Sequence, residues 1–286
     1  MKGIFWLASY PKSGNTWFRA FLSRLLSQNK EALDINCLRT DGIASSRNIF
    51  DYITGLEASD LSAAEIDELR PKVYAYMAAQ APKPLHIKIH DAYTLLPGGQ
   101  PLIPAGGSRG AVYIIRNPLD IAVSLAFHLG CNLDTAIAHM GDSEYCFSGS
   151  SRHLHSKLRQ KLLSWSEHVE SWTKGPKFPV KIIRYEDMHA SPVETFTAVA
   201  AFMELAAKPA EIEQAVAAAA FKNLQQQEKQ AGFQEKPANM AAFFREGKVG
   251  SWCSALTQEQ VLRLVSEHRR VMRQFGYLSE QGEPVF

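Results

Sequence analysis

An α/β fold with a central, mainly parallel sheet flanked by helices is predicted for this chain. Three observations predict it. Short apolar runs at 3–10, 111–115 and 180–185 read as buried strands. Each is followed by a stretch with helical periodicity. Two of the strand ends carry turn and cap chemistry, Pro11 through Asn15 in one case and Asn117-Pro118 in the other. At 286 residues, with 46% hydrophobic and 21% charged side chains, the chain suits one domain spanning residues 1–286 with a sizeable core.

The elements follow in order. The first apolar run breaks at Pro11, and Trp17, Phe18, Phe21, Leu22, Leu25 and Leu26 then line one face of a helix. Residues 29–60 are polar and weakly patterned, and are expected to be loop. Residues 61–80 read as helix, bent or divided at Pro71. In 85–90 the alternation is strict: Leu85, Ile87 and Ile89 face one way, and His86, Lys88 and His90 the other. Residues 98–110 are loop by their Gly and Pro content. Asn117 caps a helix with Pro118 in its first position, running to about Leu129. Residues 130–155 look irregular. A helix carrying Leu162, Leu163, Trp165, His168 and Trp172 precedes the strand at 180–185. Ser191 through Glu194 reads as a capping box, 209–224 as Ala-rich helix, and 225–242 as flexible loop. The last helix opens at Thr257 and stops near Gly276.

With 31 basic and 29 acidic residues, the chain has no global pull toward nucleic acid or an anionic membrane. Anion binding must come from local placement of charge. The four cysteines, Cys37, Cys131, Cys146 and Cys253, form no metal-binding spacing and are expected to be reduced and mostly buried. No apolar stretch reaches the roughly 20 residues of a membrane span. The expected location is cytoplasmic.

Tyr10-Pro11-Lys12-Ser13-Gly14-Asn15-Thr16-Trp17 is the most informative segment. Between a strand and a helix, backbone N–H groups converge and the helix dipole favours negative charge. Gly14 removes bulk; Ser13, Asn15 and Thr16 add donors; Lys12 adds a full charge. The pattern differs from G-x-x-x-x-G-K-[ST], because the lysine precedes the glycine. A plain polar turn capped by Thr16 is the competing reading. Arg116 ends a central strand beside a helix N-terminus, where open α/β sheets bind ligands, and its guanidinium suits a phosphate. Ser124 lies two turns on from Asn117 on the same helix face. The alternative is an Arg116–Asp120 ion pair.

These segments resemble the PAPS-dependent sulfotransferases, which use 3′-phosphoadenosine 5′-phosphosulfate (PAPS). The first is similar to that family's 5′-phosphosulfate loop, Y-P-K-S-G-T-T-W, with Asn15 in place of Thr. Arg116 through Ser124 is similar to its 3′-phosphate segment, R-N-P-x-D-x-x-x-S. Phe243 through Trp252 is similar to its C-terminal loop, R-K-G-x-x-G-D-W. Phe244, Arg245 and Gly247 lie there; Glu246 stands where the family has Lys, and Ser251 where it has Asp. A carboxylate beside a phosphate is unfavourable, so Glu246 is expected to point away, with Lys248 restoring the charge.

The resemblance implies a P-loop-like phosphosulfate-binding turn at 12–17 and an enzyme that moves the sulfuryl group of PAPS to an acceptor hydroxyl. In Lys88-Ile89-His90 it implies that His90 is the general base and Lys88 steadies the transferring group. Lys12 then stabilises the leaving oxygen. Trp17, Tyr185 and Phe221 match positions that sandwich adenine. PAP is the product, and no metal is called for. The acceptor is a small molecule, a lipid or a glycopeptide, and monomer and homodimer both stay open. The rivals are a magnesium-dependent nucleotide kinase and a non-catalytic PAP-binding protein. His86 is expected to be a satisfied or surface histidine. His128 and Phe127 are assigned to the acceptor pocket; His139, His153 and His155 are given no role.

Overall fold

A computed structural model describes residues 2–27, 32–148, 155–237 and 240–285. Strand β1, Ile4–Ser9, is buried along its whole length, as its unbroken apolar run requires. Helix α1 is Asn15–Leu26. Helix α2, Arg47–Thr54, occupies the segment expected to be loop; a Ser46 side-chain cap and Gly55 in the left-handed region define its ends. Helix α3, Ala63–Gln80, opens on a Ser62–Glu65 capping box and runs as one element through Pro71. Strand β2 is Leu85–Ile89 and β3 is Ser108–Ile115, the latter starting inside the Gly/Pro-rich stretch expected to be loop.

Helix α4, Pro118–Leu129, has the expected Asn117 cap, with Gly130 ending it. Helix α5, Leu133–Gly141, and the two-residue strand β4, Cys146–Phe147, replace part of the region expected to be irregular, and β5, Gln160–Lys161, lies just beyond it. Residues 149–154, His153 among them, lie outside the described residues, as do 28–31. Helix α6 is Trp165–Lys174, opened by a Ser164–Glu167 capping box, and β6 is Val180–Arg184. A short helix α7, Tyr185–Ala190, follows at once, then α8, Pro192–Phe202. Ser191 precedes α8 without a side-chain cap, so the capping box expected there does not form. The Ala-rich helix is divided into α9, Pro209–Ala218, and α10, Phe221–Ala231. Residues 225–231 of the expected 225–242 loop are therefore helix. A short 3-10 turn at Ser251–Ser254 precedes α11, Gln258–Gln274.

The fold is α/β, with a central parallel sheet in the order β2-β1-β3-β6 flanked by helices. Strands β1 and β2 pair in parallel, with Leu7 opposite Lys88. Strands β4 and β5 form a separate antiparallel pair. The chain forms two compact units, one of residues 1–10, 41–113 and 142–182, the other of residues 11–40, 114–141 and 183–286. In the first, Trp6 of β1 meets Tyr74 of α3 edge-on at 5.1 Å, and Tyr113 of β3 stacks on Trp172 of α6 at 6.1 Å. In the second, Phe18 and Phe21 of α1 stack on Phe196 of α8 at 6.1 and 4.1 Å. No single helix among the described residues is long and apolar enough to cross a membrane. All four cysteines are free, and none is buried: Cys37 and Cys253 are exposed, Cys131 and Cys146 half-buried, which corrects the expectation of buried thiols.

Candidate active site

The turn after β1 belongs to the second unit, as do all the residues matched to nucleotide binding. Lys12 sits at φ 70° and Gly14 at φ 97°. The left-handed conformation at Gly14 and the Tyr185 ring, 2.6 Å from where a Cβ would stand, together make any other residue there strained. Gly14 is the residue that caps α1, and it offers no side chain to the helix's first N–H groups. Thr16 lies inside α1, so the alternative of a Thr16 cap does not hold. The Ser13 hydroxyl is buried with no hydrogen-bond partner among the described residues.

Arg116, one residue beyond β3, ties this turn to the C-terminal loop. Its Nη1 donates to the Lys12 carbonyl at 3.0 Å, and its Nη2 to the Lys248 carbonyl at 3.1 Å. The guanidinium lies 4.1 Å from the Tyr185 ring centroid and its Nη2 lies 3.8 Å from Asp120. Its Nε is buried and has no partner among the described residues. The Arg116–Asp120 approach weighed against phosphate binding is thus present, alongside two carbonyl bonds. Ser124 lies half-buried on α4.

Two buried carboxylates hold the C-terminal loop. Asp120 accepts from the backbone N–H of Gly250 and of Trp252, at 2.9 and 3.1 Å. Glu228 of α10 accepts from Phe243 and Phe244, at 2.7 and 2.8 Å, while Gln225 donates to the carbonyls of Phe244 and Arg245. Gly247 is at φ 59°, and a Cβ there would fall 2.3 Å from the Phe221 ring. Lys12 Nζ stands 4.5 Å from the Phe243 centroid. Arg245 lies 4.8 Å from the Phe127 ring and 3.3 Å from Glu246, which also accepts from Ser251. Of the three aromatics matched to the adenine slot, Trp17 and Tyr185 meet at 5.8 Å, whereas Phe221 packs on Phe244 at 6.1 Å. His189 joins the first pair, 4.6 Å from Trp17 and 4.7 Å from Tyr185. Burial, and then the Arg116 charge, push His189 down to about 4.

The first unit carries Lys88 and His90. Lys88, half-buried in β2, pairs with β1 on one side and bridges Ile43 on the other. His90, half-buried, follows the strand, and its Nδ1 lies 2.8 Å from the Ser9 carbonyl and 3.3 Å from the Ser9 hydroxyl. A carbonyl cannot donate, so Nδ1 carries the hydrogen and Nε2 keeps its lone pair. Burial, then the charge of Lys88, with a smaller contribution from Lys157, holds the imidazole well below the ordinary histidine range; the Ser9 bond opposes them. Next in sequence, Asp91 forms a fully buried two-pronged pair with Arg70, at 2.8 and 2.8 Å. His86 is buried with its Nδ1 3.6 Å from Asp41, but its Nε2 has no hydrogen-bond partner among the described residues, so it is neither the fully satisfied nor the surface histidine expected.

Sequence reasoning assigned nothing to Ser9, His168, His189 or Glu228. Glu228 and His189 carry no local signal, because their partners are distant in sequence. His168 had one: a histidine on an otherwise apolar helix face is a buried, hydrogen-bonded group by default.

A parallel sheet whose first strand runs into a glycine-capped turn and helix, with an arginine at a second strand end bonded to that turn, defines an α/β fold of the kind that binds ligands at its strand ends. The chain belongs to the sulfotransferase family, whose model, described as the sulfotransferase domain, matches residues 3–276. Cytosolic sulfotransferase 17 of Arabidopsis thaliana is 26% identical over 97% of this chain and 77% of its own length. The amine sulfotransferase of Oryctolagus cuniculus is 22% identical over 93% and 80%. A mouse sulfotransferase solved with PAP shares the fold at a TM-score of 0.61 and 19% identity, over 99% of this chain and 87% of that one. A retinol dehydratase solved with androsterone and PAP does so at 0.62 and 18%, over 94% and 80%.

Proposed function

We propose that this chain transfers the sulfuryl group of PAPS to a hydroxyl of a small or medium-sized acceptor by in-line displacement, with His90 as general base. The observation that carries the reading is the state of His90. Its Nδ1–H is committed to the Ser9 carbonyl, and its depressed pKa keeps Nε2 unprotonated near neutral pH. In the reaction Nε2 takes the acceptor's proton as the acceptor oxygen bonds to sulfur. The bond from sulfur to the bridging phosphate oxygen breaks, and the ammonium of Lys12 meets the charge left on that oxygen. Lys88 steadies the oxygens of the group in transit.

The chain's own groups suit the nucleotide. Ser13 Oγ and Arg116 Nε are buried donors with no protein acceptor among the described residues, and the first turn of α1 has no side-chain cap. Ser13, Gly14, Asn15 and Thr16 would hold the 5′-phosphosulfate, with Arg116, Ser124, Arg245 and Gly247 at the 3′-phosphate. Trp17, Tyr185, Phe221 and Phe244 would supply the apolar slot for adenine. The Arg245–Glu246 pair lowers the net charge that Arg245 offers, so the phosphate depends the more on Arg116. The solved proteins with the same fold hold PAP. We extend to this chain the cytosolic setting in the plant relative's name, and treat 1–286 as one catalytic domain.

Thermal shift with PAP against ATP plus magnesium tests the ligand, and a panel of hydroxyl compounds with labelled PAPS tests the chemistry. PAP should stabilise the chain strongly and ATP–magnesium should not. His90→Ala should keep the PAP shift and lose turnover by about 100-fold or more. Stabilisation by ATP–magnesium alone would instead indicate a kinase. A PAP shift with no transfer to any hydroxyl would indicate a binding protein.

A further inference from the structure

His168 is a further histidine of the first unit, wholly buried in α6 and unused by the reaction above. Its Nε2 lies 3.0 Å from the main-chain carbonyl of His90, and its Nδ1 lies 2.8 Å from the Tyr113 hydroxyl. The carbonyl can only accept, so Nε2 carries the hydrogen. Burial pushes His168 down to about 4, so the ring is neutral near pH 7 and Nδ1 must accept from the Tyr113 O–H. The ring is fixed on its remaining sides by Tyr113, at 5.7 Å, and by Tyr10, edge-on at 5.3 Å.

The tautomer matters. Were the hydrogen on Nδ1, the Nε2 lone pair would face the lone pairs of the His90 carbonyl, and that part-buried carbonyl would lose this donor. Tyr113 prevents this by offering Nδ1 a donor. One turn further along α6, Trp172 donates to the Asp91 carbonyl at 2.9 Å. Two successive carbonyls, of His90 and Asp91, are thus held from one rigid helix. The direction of the His90 ring follows from this peptide and from the Ser9 carbonyl on its Nδ1.

We propose that His168, with its tautomer selected by Tyr113, is a positioning residue for His90: it fixes the His90 peptide so that Nδ1–H meets Ser9 and Nε2 faces the acceptor. The proposal rests on the reading of His90 as the base. It predicts that a donor is needed at the Nε2 position of residue 168, more than an imidazole as such. His168→Gln can present an amide N–H there, whereas His168→Leu cannot.

The test combines imidazole ¹⁵N shifts of His90 in the full chain with PAP bound and steady-state kinetics with the best acceptor of the panel. In the parent chain and in His168→Gln, His90 should show hydrogen on Nδ1. In His168→Leu that preference should be lost and kcat should fall about 10- to 100-fold, with the KM for PAPS and the PAP thermal shift unchanged. Tyr113→Phe should show a smaller loss in the same direction, and it serves if His168→Leu does not fold. Unchanged His90 shifts and kcat in His168→Leu, or in Tyr113→Phe where that is the variant read, overturn the proposal. So does an equal loss in His168→Gln and His168→Leu, which would mean packing alone. His90→Ala with undiminished turnover sinks the base assignment instead; the ¹⁵N comparison still decides whether His168 sets the state of His90.

Discussion

At Gly14, two constraints meet on one atom. The backbone is left-handed at φ 97°, and the Tyr185 ring fills the space a Cβ needs. Gly14→Ala should therefore distort the turn at a cost of about 1–3 kcal/mol and weaken PAP about 10-fold or more, read by isothermal titration. Asp91 makes a different case. Its carboxylate and the Arg70 guanidinium are both about 1% exposed, so neither charge has water to fall back on. Asp91→Ala leaves the buried Arg70 cation with only Asp67, at 3.3 Å, as a charge partner and should destabilise the chain by about 3 kcal/mol in urea unfolding. Residues flanking the candidate base thus carry stability, and a loss of activity there needs a folding control.

The C-terminal loop shows how an element without a regular ladder is held. Residues 243–252 include only a short 3-10 turn, and their backbone N–H groups instead find the Asp120 and Glu228 carboxylates. A carboxylate accepting two backbone N–H groups does locally what a strand partner does elsewhere. Asp120→Ala removes the acceptor for Gly250 and Trp252, which should speed amide exchange at both by 10- to 100-fold, about 1–3 kcal/mol. The same variant frees Arg116 from its neighbouring carboxylate. PAP affinity then reports the balance: weaker binding means that loop order dominates over the added positive charge at Arg116, and weaker binding is the expected result.

Over the whole molecule, the histidines set an acid limit. Burial lowers His90, His168, His189 and His268 below the ordinary value of 6.5, and the last three fall to about 4. The unfolded chain takes protons on these rings near pH 6.5, while in the folded chain His168, His189 and His268 resist until nearer pH 4. The stability they contribute is therefore complete above pH 6.5 and is lost as pH falls toward 4. For fully buried His168 alone, the loss is on the order of 3 kcal/mol. Unfolding midpoints measured from pH 8 to pH 4 should fall steeply below pH 6.5, and His168→Gln should show a shallower slope.

What the chain's own sequence determined is local. The apolar run at 4–9, the alternation at 85–89 and the Asn117-Pro118 cap each carry their instruction within a few residues, through side-chain period and cap chemistry. The segments matching a sulfotransferase were legible for the same reason, since each is a run of consecutive residues at a strand end or in one loop. Helix α2 and the division of α9 from α10 were hidden, because weak patterns and Ala-rich runs take their boundaries from packing. What only the tertiary structure decided is which distant groups satisfy one another: Asp120 with Gly250, Glu228 with Phe243, Tyr113 with His168 and His168 with His90. A buried polar atom must find a partner, but nothing in its own segment says from which part of the chain that partner comes.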